Sequence, residues 1–280
     1  LQVAEDFCRQ MVEQGLPARI LDKKQVHDDE PGLARDIIAG LEFDCDGSLN
    51  PMLLAYGLME ASQRNGARLE SYSEVQDIVL DAKGAVQAVK TAQGQIKTTR
   101  VINAAGIWSP AIGEMVDLDI PVTPRQGQIL VSERTGYVAR RKVVEFGYLM
   151  AKFGSSGYKR QVEPDMDKYG VALVFEPTRA GNFLVGSSRQ FVGLDISCRR
   201  PVLRLIAKRA IRFFPVIKDI SIIRSYAGLR PYVPDHMPII SDSEVPGFYV
   251  ATGHEGDGIG LSLITGKLMS QMLCGEDMEI

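Results

Sequence analysis

The amino-acid sequence predicts a mixed fold of helices and strands, α/β in class with α+β character, built from two interleaved parts. Three observations predict it. Segments with apolar residues at helical spacing stand near both ends of the chain. Strand-like runs separated by glycine turns fill the middle. Near the carboxyl end, a strand-like run, a loop with four glycines and an apolar helix-like run follow one another directly.

The first 42 residues are predicted to form a helix followed by a polar loop. Val3, Phe7 and Met11 recur at helical spacing, whereas "PARILDKKQVHDDEPGL" is polar and typical of a loop apart from "RIL". The helical pattern is already under way at Leu1, which is not a methionine. We therefore expect the chain to begin inside a larger protein.

A second helix is predicted to start at Asn50. Asn50 is a favourable N-cap and Pro51 a favourable first helical residue. The predicted apolar face consists of Leu53, Leu54, Leu58 and Ala61. After Gly66 the pattern changes to a meander of strands with turns at Lys83-Gly84 and Gln93-Gly94.

The middle of the chain, residues 121–193, is predicted to consist of strands broken by glycines. Within it, "FGSSGYKRQVEPDMDKYG" is expected to be a long hairpin loop between two strands. Residues 201–214 are predicted to be an amphipathic helix. Its basic residues recur at four-residue steps and favour a solvated face, with a docking surface for an acidic partner subunit as the alternative: Arg200, Arg204, Lys208 and Arg212.

Composition excludes several classes of function. The 280 residues are 45% hydrophobic and 24% charged, with a net charge of −3 and a pI of about 5.8, so nothing favours nucleic acid or an anionic membrane. No apolar run is long enough for a transmembrane segment, and no secretory signal opens the chain. The four cysteines are scattered, which favours buried, reduced thiols and a cytoplasmic protein. The three histidines do not cluster, so no metal site is predicted.

The glycine loop stands in "VPGFYVATGHEGDGIGLSLITGKLM". A strand, a glycine-rich turn and a helix together point backbone N–H groups and a positive helix end at an electron-rich group. Gly253, Gly256, Gly258 and Gly260 remove side chains where such a group would approach. No G-x-G-x-x-G fingerprint is present, which disfavours a nicotinamide-dependent dehydrogenase. The alternative is a flexible turn ahead of a buried helix.

Five motifs together resemble the flavin-dependent amine and amino-acid oxidoreductases, the DAO family that includes glycine oxidase, sarcosine oxidase and D-amino-acid dehydrogenases. They are "VINAAGIWSP", "PRQGQIL", "PTRAGNFLVGSSRQFVGLD", "AGLRPYVPDHMPII" and the glycine-loop stretch. Members of that family begin with a strand, G-x-G-x-x-G and a helix that bind the ADP half of FAD. Nothing of that kind precedes Leu1. The resemblance thus implies an FAD-dependent oxidoreductase without the N-terminal Rossmann βαβ unit.

The resemblance also implies a domain organisation. Residues 1–42 would continue a missing segment. Residues 43–110 and 226–280 would form a discontinuous flavin-facing domain, and residues 111–225 an antiparallel-sheet substrate domain. Without the ADP-binding unit, we expect the chain alone to retain FAD weakly or not at all and to be inactive. The alternative is a non-catalytic fragment, or a subunit of a heteromeric amine dehydrogenase that does not retain FAD alone.

By resemblance, the cofactor contacts come from three stretches. Val75 would pair with the adenine through its backbone, and small residues at a strand end would meet the cofactor. His254 would either tune the flavin or fix the turn, and the amino end of the last helix would face the flavin ring. These candidates are Val75, Ala104, Ala105, Gly106, Gly253, His254, Gly256, Asp257, Gly258 and Ile259. Trp108 is interpreted as capping a core, and His236 is assigned no role.

The substrate candidates are Arg230, Tyr148 and Tyr232. A guanidinium matches a carboxylate, and the resemblance places the arginine of "GLRP", Arg230, in that role. The two tyrosines would line the amine pocket, or else be half-buried structural residues. Glycine, sarcosine, proline-like and D-amino acids all fit as substrates. A partner subunit or a homo-oligomer is possible, and oxygen, a quinone or a partner subunit could accept the electrons.

Overall fold

The computed structural model describes residues 1–153, 160 and 162–278. The helices are α1 (Gln2–Glu13), α2 (Lys23–Asp29), α3 (Pro51–Arg64), α4 (Ser109–Glu114), α5 (Phe146–Phe153), α6 (Pro164–Lys168), α7 (Arg200–Phe213) and α8 (Gly258–Cys274). The strands are β1 (Ala18–Asp22), β2 (Ala39–Phe43), β3 (Val75–Leu80), β4 (Val86–Thr91), β5 (Gly94–Lys97), β6 (Val101–Asn103), β7 (Thr123–Ser132), β8 (Val143–Val144), β9 (Val174–Pro177), β10 (Phe183–Gly186), β11 (Ile222–Tyr232), β12 (Ile239–Asp242) and β13 (Phe248–Thr252).

The chain forms two compact units. Unit one comprises residues 1–48, 126–190 and 195–228, and unit two comprises residues 49–125, 191–194 and 229–280. The amino-terminal segment, expected to be a separate piece, therefore lies within unit one. Residues 111–125, expected in the sheet domain, lie within unit two.

Unit one contains an antiparallel sheet in the order β11-β7-β10-β9-β8 and a separate antiparallel pair, β1-β2. Its core centres on Phe175, whose ring stacks at 4.5 Å from that of Phe183 and at 4.3 Å from that of Phe214. Helix α7 is amphipathic as predicted, and its buried residues, Val202, Ile206 and Ala210, recur every four residues.

Unit two contains two small sheets. One is the predicted meander β3-β4-β5, and the other has the order β12-β13-β6. Phe248 and Val250 of β13 share a core with Ile78 and Val86 of the meander. The pairing of β13 with β6 is parallel, so two strands far apart in the sequence end at the same edge of the sheet.

Several local predictions are wrong. Asp22 and Gln25 form a capping box that starts α2 where a polar loop was expected, because capping depends on two side chains rather than on apolar periodicity. Helix α5 replaces an expected strand, and α6 lies within the expected hairpin loop. Residues 154–159 and 161 of that loop lie outside the described residues.

Burial also departs from the sequence-based expectations. Helix α3 begins at Pro51 as predicted, with the Asn50 carboxamide accepting from the N–H groups of Met52 and Leu53 at 3.0 and 3.2 Å. None of its residues is buried, however. Of the four free cysteines, Cys45 and Cys274 are exposed rather than buried.

The basic stripe on α7 agrees with the solvated-face interpretation. Lys208 and Arg212 are 61% and 48% exposed and form ion pairs with Glu163 and Asp36. No helix in the described parts of the chain combines the length and the apolar character needed to cross a bilayer.

Candidate functional site

The candidate site in unit two starts from the shared edge of β6 and β13. Val250 pairs with Asn103, so residues 104–106 and the glycine loop leave the sheet side by side. The Thr252 hydroxyl donates to the Gly106 carbonyl at 3.1 Å and accepts from the Ser109 hydroxyl at 2.9 Å. The structure thus brings Ala104, Ala105 and Gly106 next to the loop that begins at Gly253.

The glycine loop is held against the end of β11. Gly253 has φ +80°, and a Cβ placed there would lie 2.5 Å from Cγ2 of Val233, so only glycine fits. The Glu255 N–H donates to the Pro231 carbonyl at 3.2 Å. The nearest atoms to a Cβ built at Gly256 are Cδ and Nε of Arg230, at 3.7 Å. Arg230 and the open part of the loop therefore face each other.

Helix α8 starts without a side-chain cap. Asp257 is the N-cap but makes no capping hydrogen bond through its side chain, and the Leu261 N–H donates to the Asp257 carbonyl at 3.0 Å. The N–H groups of residues 258–260 precede that bond and have no intrahelical acceptor. Gly256, Asp257 and Ile259 are exposed. The helix end can therefore meet an electron-rich group, and the alternative of a buried helix does not hold for this end.

His254 is fixed within the loop. Its Nε2 lies 2.8 Å from the hydroxyl of Thr265 on α8. Burial lowers the pKa of this imidazole below its usual value, which favours the neutral ring. The histidine thus ties the loop to its own helix without adding a positive charge at neutral pH.

A charged and aromatic cluster next to the loop was missed by sequence reasoning. Glu255 forms an ion pair with Arg125 and contacts His236, whose Nδ1 lies 2.8 Å from the carboxylate. The Arg125 guanidinium lies 4.7 Å from the centroid of the Tyr232 ring. The motif "PRQGQIL" contains Arg125 and the loop contains Glu255, but no spacing rule links residues 130 positions apart.

The remaining candidates lie elsewhere. Tyr148 is half-buried on α5 in unit one, with the Arg189 guanidinium 4.2 Å from its ring centroid. Val75 begins β3 in the meander sheet of unit two. Trp108 was interpreted as a core cap, but it is 61% exposed. Among the residues that the structure describes, no group of three or more His, Cys, Asp or Glu side chains is arranged to hold a metal ion.

Comparison with known proteins identifies the family. Residues 1–272 match the family described as FAD dependent oxidoreductase, DAO. The chain belongs to this family. Similar proteins include the hydrogen cyanide synthase subunit HcnC of Pseudomonas aeruginosa, 28% identical over all of this chain and 61% of that protein. The chain thus spans about three-fifths of the length of this relative.

Solved structures of DAO-like proteins share the fold. L-proline dehydrogenase from P. horikoshii superimposes with a TM-score of 0.82 at 22% identity, covering 95% of this chain and 67% of that one. Glycine oxidase from Bacillus cereus superimposes with a TM-score of 0.81 at 21% identity, covering 99% and 72%. These matches confirm the resemblance and the mixed fold predicted from the sequence motifs.

The residues of the DAO-family site fit a flavin. The ring of FAD takes up negative charge on reduction, and the exposed, uncapped amino end of α8 supplies N–H groups suited to it. A Cβ added at Gly106 or Gly260 would meet no atom within 4 Å, so there is space next to both glycines for a bound group. Small residues at the edge of the sheet and a helix end beside Arg230 therefore suit a planar, electron-accepting group.

Proposed function

We propose that this DAO-family protein oxidises the C–N bond of an amino acid or secondary amine, with Arg230 anchoring the carboxylate of the substrate. The observation that carries the proposal is the position of Arg230 beside Gly256, in front of the uncapped end of α8. The chemistry that bound FAD would supply is a hydride acceptor for the carbon that carries the amine. Glycine, sarcosine, proline-like and D-amino acids are the candidate substrates.

The residues of the chain orient the reaction. A bidentate guanidinium–carboxylate contact at Arg230 would fix the substrate carbon relative to the glycine loop. The N–H groups of residues 258–260 would stabilise negative charge that develops at their end of α8, and Tyr232 would border the same space. Tyr148, the other tyrosine predicted to line the amine pocket, lies in unit one, and its role stays a prediction. Val75 and residues 104–106 are proposed as cofactor contacts.

Substitution of Arg230 by Met tests the anchor. In FAD-loaded protein we expect kcat/KM for an amino acid to fall about 10²-fold, because a charge-assisted contact worth about 3 kcal/mol is lost. A matched amine without a carboxylate should be oxidised equally well by both forms. Arg224→Met, at an exposed position of the same strand, is the control and should leave both rates unchanged. A similar loss for both substrates would contradict the assignment.

Retention of FAD is a separate question, because the chain spans 61% of the length of HcnC. We propose that these residues supply the flavin-ring side of the site and that the chain alone retains FAD weakly, so that the assays require added FAD in excess. A purified sample that is folded but shows no visible flavin absorbance would support this proposal. The sample would then act as a subunit or fragment, in agreement with a relative named as a subunit. A stoichiometrically yellow sample would contradict it.

A further inference from the structure

Glu255 is the centre of the charged cluster beside the glycine loop. Its side chain is 5% exposed, and it accepts hydrogen bonds from Arg125 Nη2 and pairs with His236 Nδ1 at 2.8 Å. Its own N–H donates to Pro231, the residue after Arg230, at 3.2 Å. Its φ of +47° lies in the left-handed region, which is uncommon for a residue other than glycine. Three contacts therefore fix one residue of the loop in an unusual conformation.

The two partners of Glu255 also contact Tyr232. The Arg125 guanidinium lies 4.7 Å from the centroid of the Tyr232 ring, and the His236 ring packs edge-on at 5.4 Å. Phe191 packs edge-on from another side at 5.0 Å. The Tyr232 ring thus contacts three side chains, two of which are held by one carboxylate.

We propose that Glu255 is a positioning residue that fixes the glycine loop and the Tyr232 ring in position relative to Arg230. The inference rests on the proposed function, in which Arg230 anchors a carboxylate. Because Glu255 is bonded both to the strand that carries Arg230 and to the two side chains that flank Tyr232, its displacement would move the loop and the ring together. Glu255 itself does not act on the substrate.

The negative charge of Glu255 is essential to this role. The Arg125 side chain is 11% exposed, and its buried Nε has no hydrogen-bond partner among the residues that the structure describes. A buried guanidinium that loses its carboxylate is left uncompensated, which is far more costly than the loss of a surface ion pair. Gln at position 255 keeps the shape and an acceptor oxygen but removes that charge. We therefore expect Arg125, and with it the Tyr232 ring, to shift in such a variant.

The experiment compares Glu255→Gln, Arg125→Met and the double variant, all in FAD-loaded protein. We expect each single variant to raise both the dissociation constant of acetate and KM for an amino acid by about tenfold, with kcat changed less than about twofold. The double variant should be no worse than either single one, because both break the same pair. Additive effects would overturn the proposal.

A matched control separates positioning from stability. Glu42 in unit one is similarly buried, with a side chain 7% exposed, and pairs with Arg19 and Arg141. Glu42→Gln should also lower the unfolding midpoint in urea, but less than Glu255→Gln, because Arg19 and Arg141 are 55% and 53% exposed. It should leave acetate binding unchanged. If Glu255→Gln lowered the midpoint and left acetate binding unchanged too, Glu255 would be merely structural and the proposal would be wrong.

A spectroscopic readout works without turnover. The protein is labelled with fluorotyrosine, and the Tyr232 resonance is assigned by its absence in Tyr232→Phe. That resonance should shift in Glu255→Gln and Arg125→Met and stay in place in Glu42→Gln. An unshifted resonance would overturn the positioning role. Absence of acetate binding in the parent protein, with the resonance shifting as expected, would instead overturn the proposed function.

Discussion

Replacement of Gly253 by Ala tests how tightly the glycine loop is packed. Gly253 has φ +80°, and a Cβ there would lie 2.5 Å from Cγ2 of Val233 and 3.5 Å from the backbone nitrogen of Ile239. Carbon atoms in contact normally stay about 3.5–4.0 Å apart. The substitution therefore combines backbone strain with a steric overlap of about 1 Å.

The expected cost follows from the two contributions. A left-handed conformation costs an alanine about 1–2 kcal/mol, and an extra methyl group in a packed site costs about 1–3 kcal/mol. Val233 is 2% exposed and β-branched, so its side chain cannot turn away easily. We expect the free energy of unfolding to fall by about 2–5 kcal/mol.

Urea unfolding measures this loss, with Gly256→Ala as the matched control. A Cβ at Gly256 would meet nothing closer than 3.7 Å, and its φ lies outside the left-handed region. Its stability should change by less than about 1 kcal/mol, whereas its added methyl group should weaken acetate binding beside Arg230. The two alanines should thus separate folding from ligand binding.

Equal unfolding free energies for Gly253→Ala and the parent would refute the packing argument. The pair Gly253→Ala and Val233→Ala gives a second check. Removal of the Val233 methyl groups is destabilising by itself, but it relieves the overlap, so the double variant should be more stable than the sum of the single effects. Strict additivity would show that the two residues do not collide.

Two further predictions concern a pH dependence and a helix cap. Burial lowers the pKa of His254, so the unfolded chain binds a proton more readily than the folded one. The free energy of unfolding should therefore fall as the pH drops below about 6.5. Urea titrations at several pH values should show this decrease in the parent protein and a smaller one in His254→Gln. Asn50→Ala removes the cap of α3 and should cost about 1 kcal/mol, whereas Asn50→Asp should cost little, as judged by thermal unfolding of both variants.

Elements with strong local signals were predictable from the sequence. The Asn50-Pro51 start of α3, the meander with its glycine turns and the order of strand, glycine loop and α8 all depend on residues adjacent in the chain. The resemblance then indicated the flavoprotein family, because five motifs occur together in order. Patterns of residues adjacent in the sequence were therefore sufficient to predict the outline of the fold and the position of the glycine loop.

Features that depend on distant partners were not predictable. Glu255 and Arg125 are 130 positions apart, and neither has a neighbour in the sequence that would indicate an ion pair. His236 was assigned no role because the sequence places it only in a turn. Its contact with Glu255 is what links it to the glycine loop. A single sequence indicates which residues can be charged, but not which charges meet.

The late position of the glycine loop follows from the pairing of strands. A parallel pair requires a long connection, and β6 and β13 are separated by 144 residues that include all of β7 to β12. Their carboxyl ends nevertheless lie at one edge, where small residues 104–106 meet the loop from Gly253. The glycine loop and residues 104–106 can therefore contribute to one site although they are far apart in the sequence. Thr252 links the two segments through its hydrogen bonds to Gly106 and Ser109. A Thr252→Val variant keeps the side-chain volume and removes both hydrogen bonds. We expect residues 104–106 and the glycine loop to become less firmly held together, while unit two stays folded.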